Sequence, residues 1–354
     1  DEAPIAAAAE ETLGSGWSFA PADLPPVEEK VAVEYTNRFT SSFSASSLSG
    51  LRVGVFAHSA VGRDLLADIL ESLGADCVCF GRVEEFVAVD TEAASADHLD
   101  QMRQALKTHG LDAVVSTDGD GDRPLLLDEA GHQINGDVLG ALTARFLGAK
   151  TVVTPLTSTS GIELSGWFET VIRTRIGSPF VVEAMTQATT KDEDRIVGFE
   201  ANGGFLVQTP FSLEDGILDP LPTRDAVLPI LAVLASSKSA GEPISHLAAS
   251  LPPRVMKAAR LKEIPPQKGS KFCVTMADSF VMRTVFDPIL SDISAIDTTD
   301  GTRLTLTDGS IVHFRQSGNA PELRCYVETD TAEATDRLLE TMMAQLEQHF
   351  GRKE

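Results

Sequence analysis

From residue 51 onward, apolar and polar positions alternate between two periods. Residues 51–57 (LRVGVFA) form a short apolar run with the length of a buried strand. In 63–73, Leu65, Leu66, Ile69, Leu70 and Leu73 fall at helical spacing, Gly74 follows as a C-terminal cap, and 76–80 reads as the next strand. This predicts one βαβ unit. A helix at about 95–109 then leads into a strand at 111–117. A second run of the same kind begins near 137, with helix 137–147, strand 151–156, helix 161–168, strand 169–174, a helix near 179–188, strand 195–200 and a helix over about 223–236.

The pattern changes near 253. Apolar segments at 272–283 precede short strands near 293–297, 303–306, 310–314 and 323–328, with turns at Asp300-Gly301 and Asp308-Gly309. A closing helix, 331–349, carries a capping box from Asp330 to Glu333 and a stripe of Leu338, Leu339, Met342, Met343 and Leu346. Upstream, 1–13 reads as a helix and 14–26 as a Gly/Pro linker; 27–38 reads as a second helix and 40–50 as a Ser-rich loop. The expected class is α/β, with two α/β units alike in pattern and a C-terminal α+β unit. The expected boundaries are 1–29 (tail and linker), 30–135, 136–252 and 253–354.

Charge sharpens this picture. The 354 residues hold 29 Lys plus Arg against 52 Asp plus Glu, a formal net charge of −23. Such a surface repels phosphate backbones and anionic lipids, and aromatics at 6% offer little stacking surface, so nucleic-acid and membrane partners are not expected. Any anion site must be a local basic pocket. Cys77, Cys79, Cys273 and Cys325 make no zinc-type pattern and read as buried free thiols of a reducing, cytoplasmic compartment. No apolar stretch has the length of a membrane span.

The strongest chemical signal follows the 111–117 strand. Asp118, Asp120 and Asp122 alternate with Gly119 and Gly121, and Arg123 closes the run. Three carboxylates so placed repel one another and call for a cation; hard oxygen ligands select Mg²⁺ or Ca²⁺. The end of a strand in an open α/β sheet is also where ligands bind. Two other readings compete. An EF-hand would place Glu129 at its twelfth position but needs Gly where Arg123 stands, and the turn could simply be solvated. In the C-terminal unit, Arg315 and Arg324 can pair with a phosphate, with Ser317 and Asn319 as neutral donors and Gly318 allowing backbone N–H groups to face it.

The 118–123 loop resembles the metal loop of the α-D-phosphohexomutases, the phosphomannomutase/phosphoglucomutase superfamily. Residues 198–205 (GFEANGGF) look like its sugar-binding loop and 315–328 like its phosphate loop, in the family's order over about 30–350. The resemblance implies Mg²⁺ on Asp118, Asp120 and Asp122, and Arg123 as a catalytic contact to the transferring group. It implies sugar contacts from Glu200 and Asn202, a further contact from Arg175, and phosphate binding by Arg315, Ser317, Gly318, Asn319 and Arg324.

Three departures stand out. Asn202 and Gly204 occupy places where Ser and His are common, and Asn319-Ala320 replaces the usual Thr-Glu. The family's phosphoserine loop is not found; Ser158 and Ser160 come after the metal loop, in the wrong order, and the 1–13 helix reads as the tail of a missing serine domain. The implied activity is phosphomannomutase-like transfer between the 6- and 1-positions of a hexose phosphate through a 1,6-bisphosphate, with this chain alone expected to be inactive. The alternatives are phosphoglucomutase or phosphoglucosamine mutase specificity, or a non-catalytic phosphosugar-binding fragment.

Overall fold

The computed structural model describes residues 28–191, 194–286, 290, 292–318 and 320–351, so the expected 1–13 helix, its linker and Asn319 lie outside the described residues. The first sheet contains β1 (Arg52–Phe56), β2 (Asp76–Phe80), β3 (Ala113–Thr117) and β4 (Pro124–Leu127) in the order β2-β1-β3-β4. Both β2 and β3 run parallel to β1, while β4 returns antiparallel to β3. All residues of β3 and β4 are buried, which suits their Val- and Leu-rich sequences.

The second unit repeats this topology. It contains β5 (Thr151–Pro155), β6 (Thr170–Thr174), β7 (Ile196–Phe199) and β8 (Phe205–Val207), followed by the short β9 (Phe211–Ser212) and β10 (Ile217–Leu218) and by β11 (Leu221–Asp225). The sheet order is β11-β8-β7-β5-β6. Strands β6 and β7 are parallel to β5, and β8 is antiparallel to β7. Read from β6, this is the arrangement β2-β1-β3-β4 with one strand added. The metal loop joins β3 to β4, and the 200–204 loop joins β7 to β8; they are equivalent connections.

One core crosses between these units. Helices Gly136–Leu147 and Val227–Ala240 pack on each other, and the second also packs on β4. Their buried residues join Val53 and Leu126 of the first sheet to Val152 and Val197 of the second in one cluster. The C-terminal unit has its own core around Phe272, Phe286, Phe314 and Met342. Its sheet is antiparallel in the order β12-β16-β15-β14-β13, formed by β12 (Val255–Lys262), β13 (Ile293–Asp297), β14 (Thr302–Leu306), β15 (Ile311–Gln316) and β16 (Glu322–Thr329). No described helix is long and apolar enough to cross a membrane.

Several local expectations are corrected. The helix expected from 223 starts at Val227, because 221–225 pairs with β8 and Asp225 accepts the N–H groups of Val227 and Leu228 at 2.9 and 3.3 Å. The helix expected over 161–168 ends at Leu164, and Gly166 turns the chain with φ 63°. The last helix is capped by Thr331, whose hydroxyl accepts the Ala334 N–H at 3.2 Å, because Asp330 is drawn into an ion pair with Arg254. Cys79 is exposed and Cys77 half-buried, since β2 is an edge strand; only Cys273 and Cys325 are buried. Strands β4, β8 and β12 and the helix Ile244–Ala249 had no strong periodic signal; β12 is specified by pairing with β16 along its whole length.

Leu231 is fully buried in the shared core. Leu231→Ala is expected to lower stability by about 2–5 kcal/mol, the range for a large buried truncation. Urea unfolding of both proteins measures it.

Candidate active site

The metal loop is folded by one of its own carboxylates. Asp118 is buried, and its Oδ1 accepts the N–H groups of Gly121, Asp122 and Arg123 at 3.2, 3.1 and 3.1 Å. Gly121 supplies φ 83°, which lets those three amides turn inward. The result is the expected convergence: one carboxylate oxygen each from Asp118, Asp120 and Asp122 lies within 4.8 Å of the others. Burial pushes the Asp118 carboxyl up to about 6, and the charges of Asp120 and Asp122 add to the rise. Three hard oxygen donors at this spacing fit Mg²⁺. Arg123 Nε sits 3.7 Å from both Asp118 Oδ2 and Asp122 Oδ1. The EF-hand reading fails, because strands flank the loop and Glu129 accepts the Ser245 hydroxyl proton. His58 is a support for the loop: it is buried, and its Nε2 meets the Thr117 carbonyl at 2.9 Å.

The 200–204 loop lies against Pro124, the residue that follows the metal loop, and, backbone to backbone, against Gly136 at the start of the helix Gly136–Leu147. A β-carbon on Gly203 would fall 2.8 Å from Pro124 Cγ, and one on Gly136 would fall 2.3 Å from Asn202 C and Gly203 N. Glycine is required for this approach. Within the loop, Asn202 Oδ1 accepts the Gly204 N–H at 3.0 Å, so Asn202 shapes the turn. Glu200 is buried, and its Oε2 has no hydrogen-bond partner. Burial raises the Glu200 pKa, while Arg224 and Arg123 pull it back.

Arg224 was not anticipated from sequence. Its Nη2 lies 2.5 Å from Asp122 Oδ2 and its Nη1 lies 3.7 Å from Glu200 Oε2, so it touches both loops. Only the pairing of β11 beside β8 brings it there.

In the C-terminal unit, strand register places Arg315 opposite Arg324, and Arg324 opposite Arg260. Three arginines therefore stand in one cross-strand row. Directly opposed like charges are destabilising, and an anion relieves them. Arg260 was missed because nothing in its local sequence marks the register. Glu322 lies 3.4 Å from Arg260 and 4.0 Å from Arg324. Asp300 Oδ2 accepts Arg315 Nε–H at 2.7 Å and the Ile176 N–H at 3.1 Å, tying the 174–177 loop to this row. Arg175 in that loop lies over the Phe180 ring at 4.6 Å. Ser317 is buried and its N–H donates to the Glu322 carbonyl at 2.9 Å, while a β-carbon on Gly318 would meet nothing within 4 Å.

Ala201 of the 200–204 loop lines a cavity of about 310 Å³ together with Glu92, Asn135 and, from the C-terminal sheet, Lys257 and Tyr326. Glu92, also unanticipated, feels the charges of Arg123, Glu200 and Arg324, one residue from each loop. Ser158 is buried and accepts the Thr154 hydroxyl proton at 2.6 Å; the Ser160 hydroxyl is buried as well. Neither is presented as a nucleophile.

Two similar α/β units bearing a carboxylate loop and a sugar-type loop, followed by an antiparallel unit with a row of arginines, define a phosphohexomutase architecture. The chain belongs to the phosphoglucomutase/phosphomannomutase family: its alpha/beta/alpha domain II matches 33–131, its alpha/beta/alpha domain III matches 135–255 and its C-terminal domain matches 254–345. The phosphomannomutase of Sinorhizobium fredii is 43% identical over 312 residues, which span 88% of this chain and 66% of that protein. That of Salmonella muenchen is 40% identical over 324 residues, covering 91% and 67%. The chain thus spans about two thirds of the length of these relatives. Relatives named phosphoglucosamine mutase are 26–31% identical over shorter stretches.

Among solved structures, a phosphoglucomutase/phosphomannomutase family protein from Burkholderia thailandensis aligns with TM-score 0.70 at 19% identity, covering 90% of this chain and 64% of that one. Aspergillus fumigatus N-acetylphosphoglucosamine mutase, in complex with GlcNAc-6P and magnesium, aligns with TM-score 0.60 at 15% identity, covering 88% and 69%.

Mg²⁺ is expected to raise the melting temperature of the wild-type protein, because a ligand that binds only the folded state stabilises it. Asp120→Asn should remove most of that increment. A thermal scan with and without Mg²⁺ checks this, and an equal shift in both proteins would place the cation elsewhere.

Proposed function

We propose that this chain carries the metal, sugar and distal-phosphate sites of a phosphomannomutase, which moves a phosphoryl group between the 6- and 1-positions of a hexose phosphate through a 1,6-bisphosphate. The observation that supports it is the linkage of the loops: Arg224 reaches Asp122 and Glu200, and Glu92 is in electrostatic reach of Arg123, Glu200 and Arg324. The units acting together are 30–135, 136–252 and 253–354. Specificity for mannose over glucosamine is favoured by the higher identity to the phosphomannomutases.

In this reading Asp118, Asp120 and Asp122 hold Mg²⁺, which supplies charge neutralisation at the transferring phosphoryl group. Arg123 stabilises the equatorial oxygens of that group. Glu200 accepts hydrogen bonds from sugar hydroxyls, Asn202 keeps its loop in shape, and Arg175 contributes from the 174–177 turn. Arg315 and Arg324, with Ser317, Gly318 and Asn319, grip the phosphate that is not reacting. Charge-assisted contacts to both ends of the sugar allow the bisphosphate to reorient and present either phosphate to the same centre. The phosphoryl donor is a phosphoserine contributed from upstream sequence. The buried, bonded state of Ser158 supports that assignment.

Arg315→Ala is expected to weaken mannose 6-phosphate binding by about 1.5–3 kcal/mol, the scale of a hydrogen bond to a charged group. Calorimetry measures it; unchanged affinity would move the phosphate site. For activity, the assay converts mannose 1-phosphate to mannose 6-phosphate with mannose 1,6-bisphosphate added. Residues 1–354 alone are expected to bind without turnover, and an added upstream serine domain is expected to restore it. Turnover by 1–354 that disappears on replacing Ser158 or Ser160 would overturn the donor assignment.

A further inference from the structure

Arg224 sits where a cation at the aspartate triad and a sugar at the 200–204 loop would each need its partner. Its Nη2 pairs with Asp122 Oδ2 at 2.5 Å, while its Nη1 stops 3.7 Å from Glu200 Oε2, too far for a hydrogen bond. That Glu200 oxygen is buried and unsatisfied, a state that carries a free-energy penalty. The backbone beneath Arg224 is fixed, because the adjacent Asp225 is buried and accepts the Tyr35 hydroxyl proton at 2.7 Å together with the two helix N–H groups. The long side chain above it is not fixed in that way, and it lies across Gly204. A β-carbon on Gly204 would fall 2.9 Å from Arg224 Cδ and Cγ, so the glycine makes the room the arginine occupies. Gly204 lies outside the left-handed region, so its smallness matters here for space.

We propose that Arg224 is a built-in competitor for the divalent cation: it neutralises Asp122 in the metal-free protein and passes to Glu200 when a cation takes Asp122. A carboxylate oxygen cannot serve a guanidinium and a divalent cation at full strength, and the two positive charges repel each other. Displacement by about 1 Å closes the Glu200 contact to hydrogen-bond length. Metal occupancy in one unit thereby orders the sugar loop of the next, and the two ligands bind with positive coupling. Arg224 is thus a positioning residue, acting through Asp122 and Glu200. The inference rests on the proposed function, in that it needs the triad to accept a divalent cation.

The test uses Mn²⁺ as probe, followed by electron paramagnetic resonance, with and without mannose 6-phosphate. The proteins are wild type, Asp120→Asn, Arg224→Gln, Arg224→Lys and Gly204→Ala, each first shown to be folded by its melting curve. Wild type binds Mn²⁺, and Asp120→Asn does not. Arg224→Gln binds Mn²⁺ about threefold or more tightly than wild type, because the competitor is gone. Saturating Mn²⁺ raises mannose 6-phosphate affinity in wild type by about fivefold or more, and this gain falls below about twofold in Arg224→Gln. Arg224→Lys keeps the charge and restores part of the competition. Gly204→Ala pushes the arginine off its seat and tightens Mn²⁺ binding without removing the charge. Unchanged or weaker Mn²⁺ binding by Arg224→Gln, or coupling that survives in it, overturns the inference and leaves the cation site standing. Absence of Mn²⁺ binding by wild type brings down the cation site, and the inference with it.

Discussion

Three carboxylates on one six-residue turn repel one another, and much of the site can be understood as the containment of that charge. Asp118 spends one oxygen on three backbone amides, which turns the loop inward and fixes its shape. Arg123 leans on Asp118 and Asp122, and Arg224 pairs with Asp122 as well. What remains is an oxygen-rich cluster whose acidity burial has already reduced. A dication satisfies it better than two guanidiniums at its rim, because it can meet all three oxygens at once.

The second organising fact is topological. Strands β1–β4 and β5–β8 follow the same order and directions, so the metal loop and the sugar loop are the same hairpin connection in two copies. The second loop packs on Pro124, just after the first, and on the backbone of Gly136, where a side chain on Gly203 or Gly136 would force the segments apart. Rigid contact at that point is what allows Arg224, on the strand next to the second loop, to reach into the first. The third loop, between β15 and β16, is again a turn between antiparallel strands, in a unit with its own core.

A chain of formal charge −23 binds an anion only where arginines are gathered against that background. Strand register does the gathering. Arg260, Arg324 and Arg315 come from three neighbouring strands and form a row, with Glu322 and Asp300 holding part of it in place. The nearby carboxylates limit the mutual repulsion of the arginines and orient Arg315.

The local alternation of types was readable along the chain. The buried runs at 51–57 and 111–117, the helical stripe at 63–73 and the Asp-Gly turn after β3 are all specified within a few residues, because periodicity and glycine placement act locally. The convergence of Asp118, Asp120 and Asp122 was legible for the same reason: all three carboxylates lie on one short segment. Helix starts were less legible. Val227 begins its helix because strand pairing holds 221–225, and Thr331 displaces Asp330 as cap because Arg254, 76 residues away in sequence, claims the carboxylate. Arg224, Arg260 and Glu92 carry no local signature. Each gains its place from a strand register or a packing contact between distant segments, and such pairings depend on the free energy of the whole fold, which no short stretch of sequence contains.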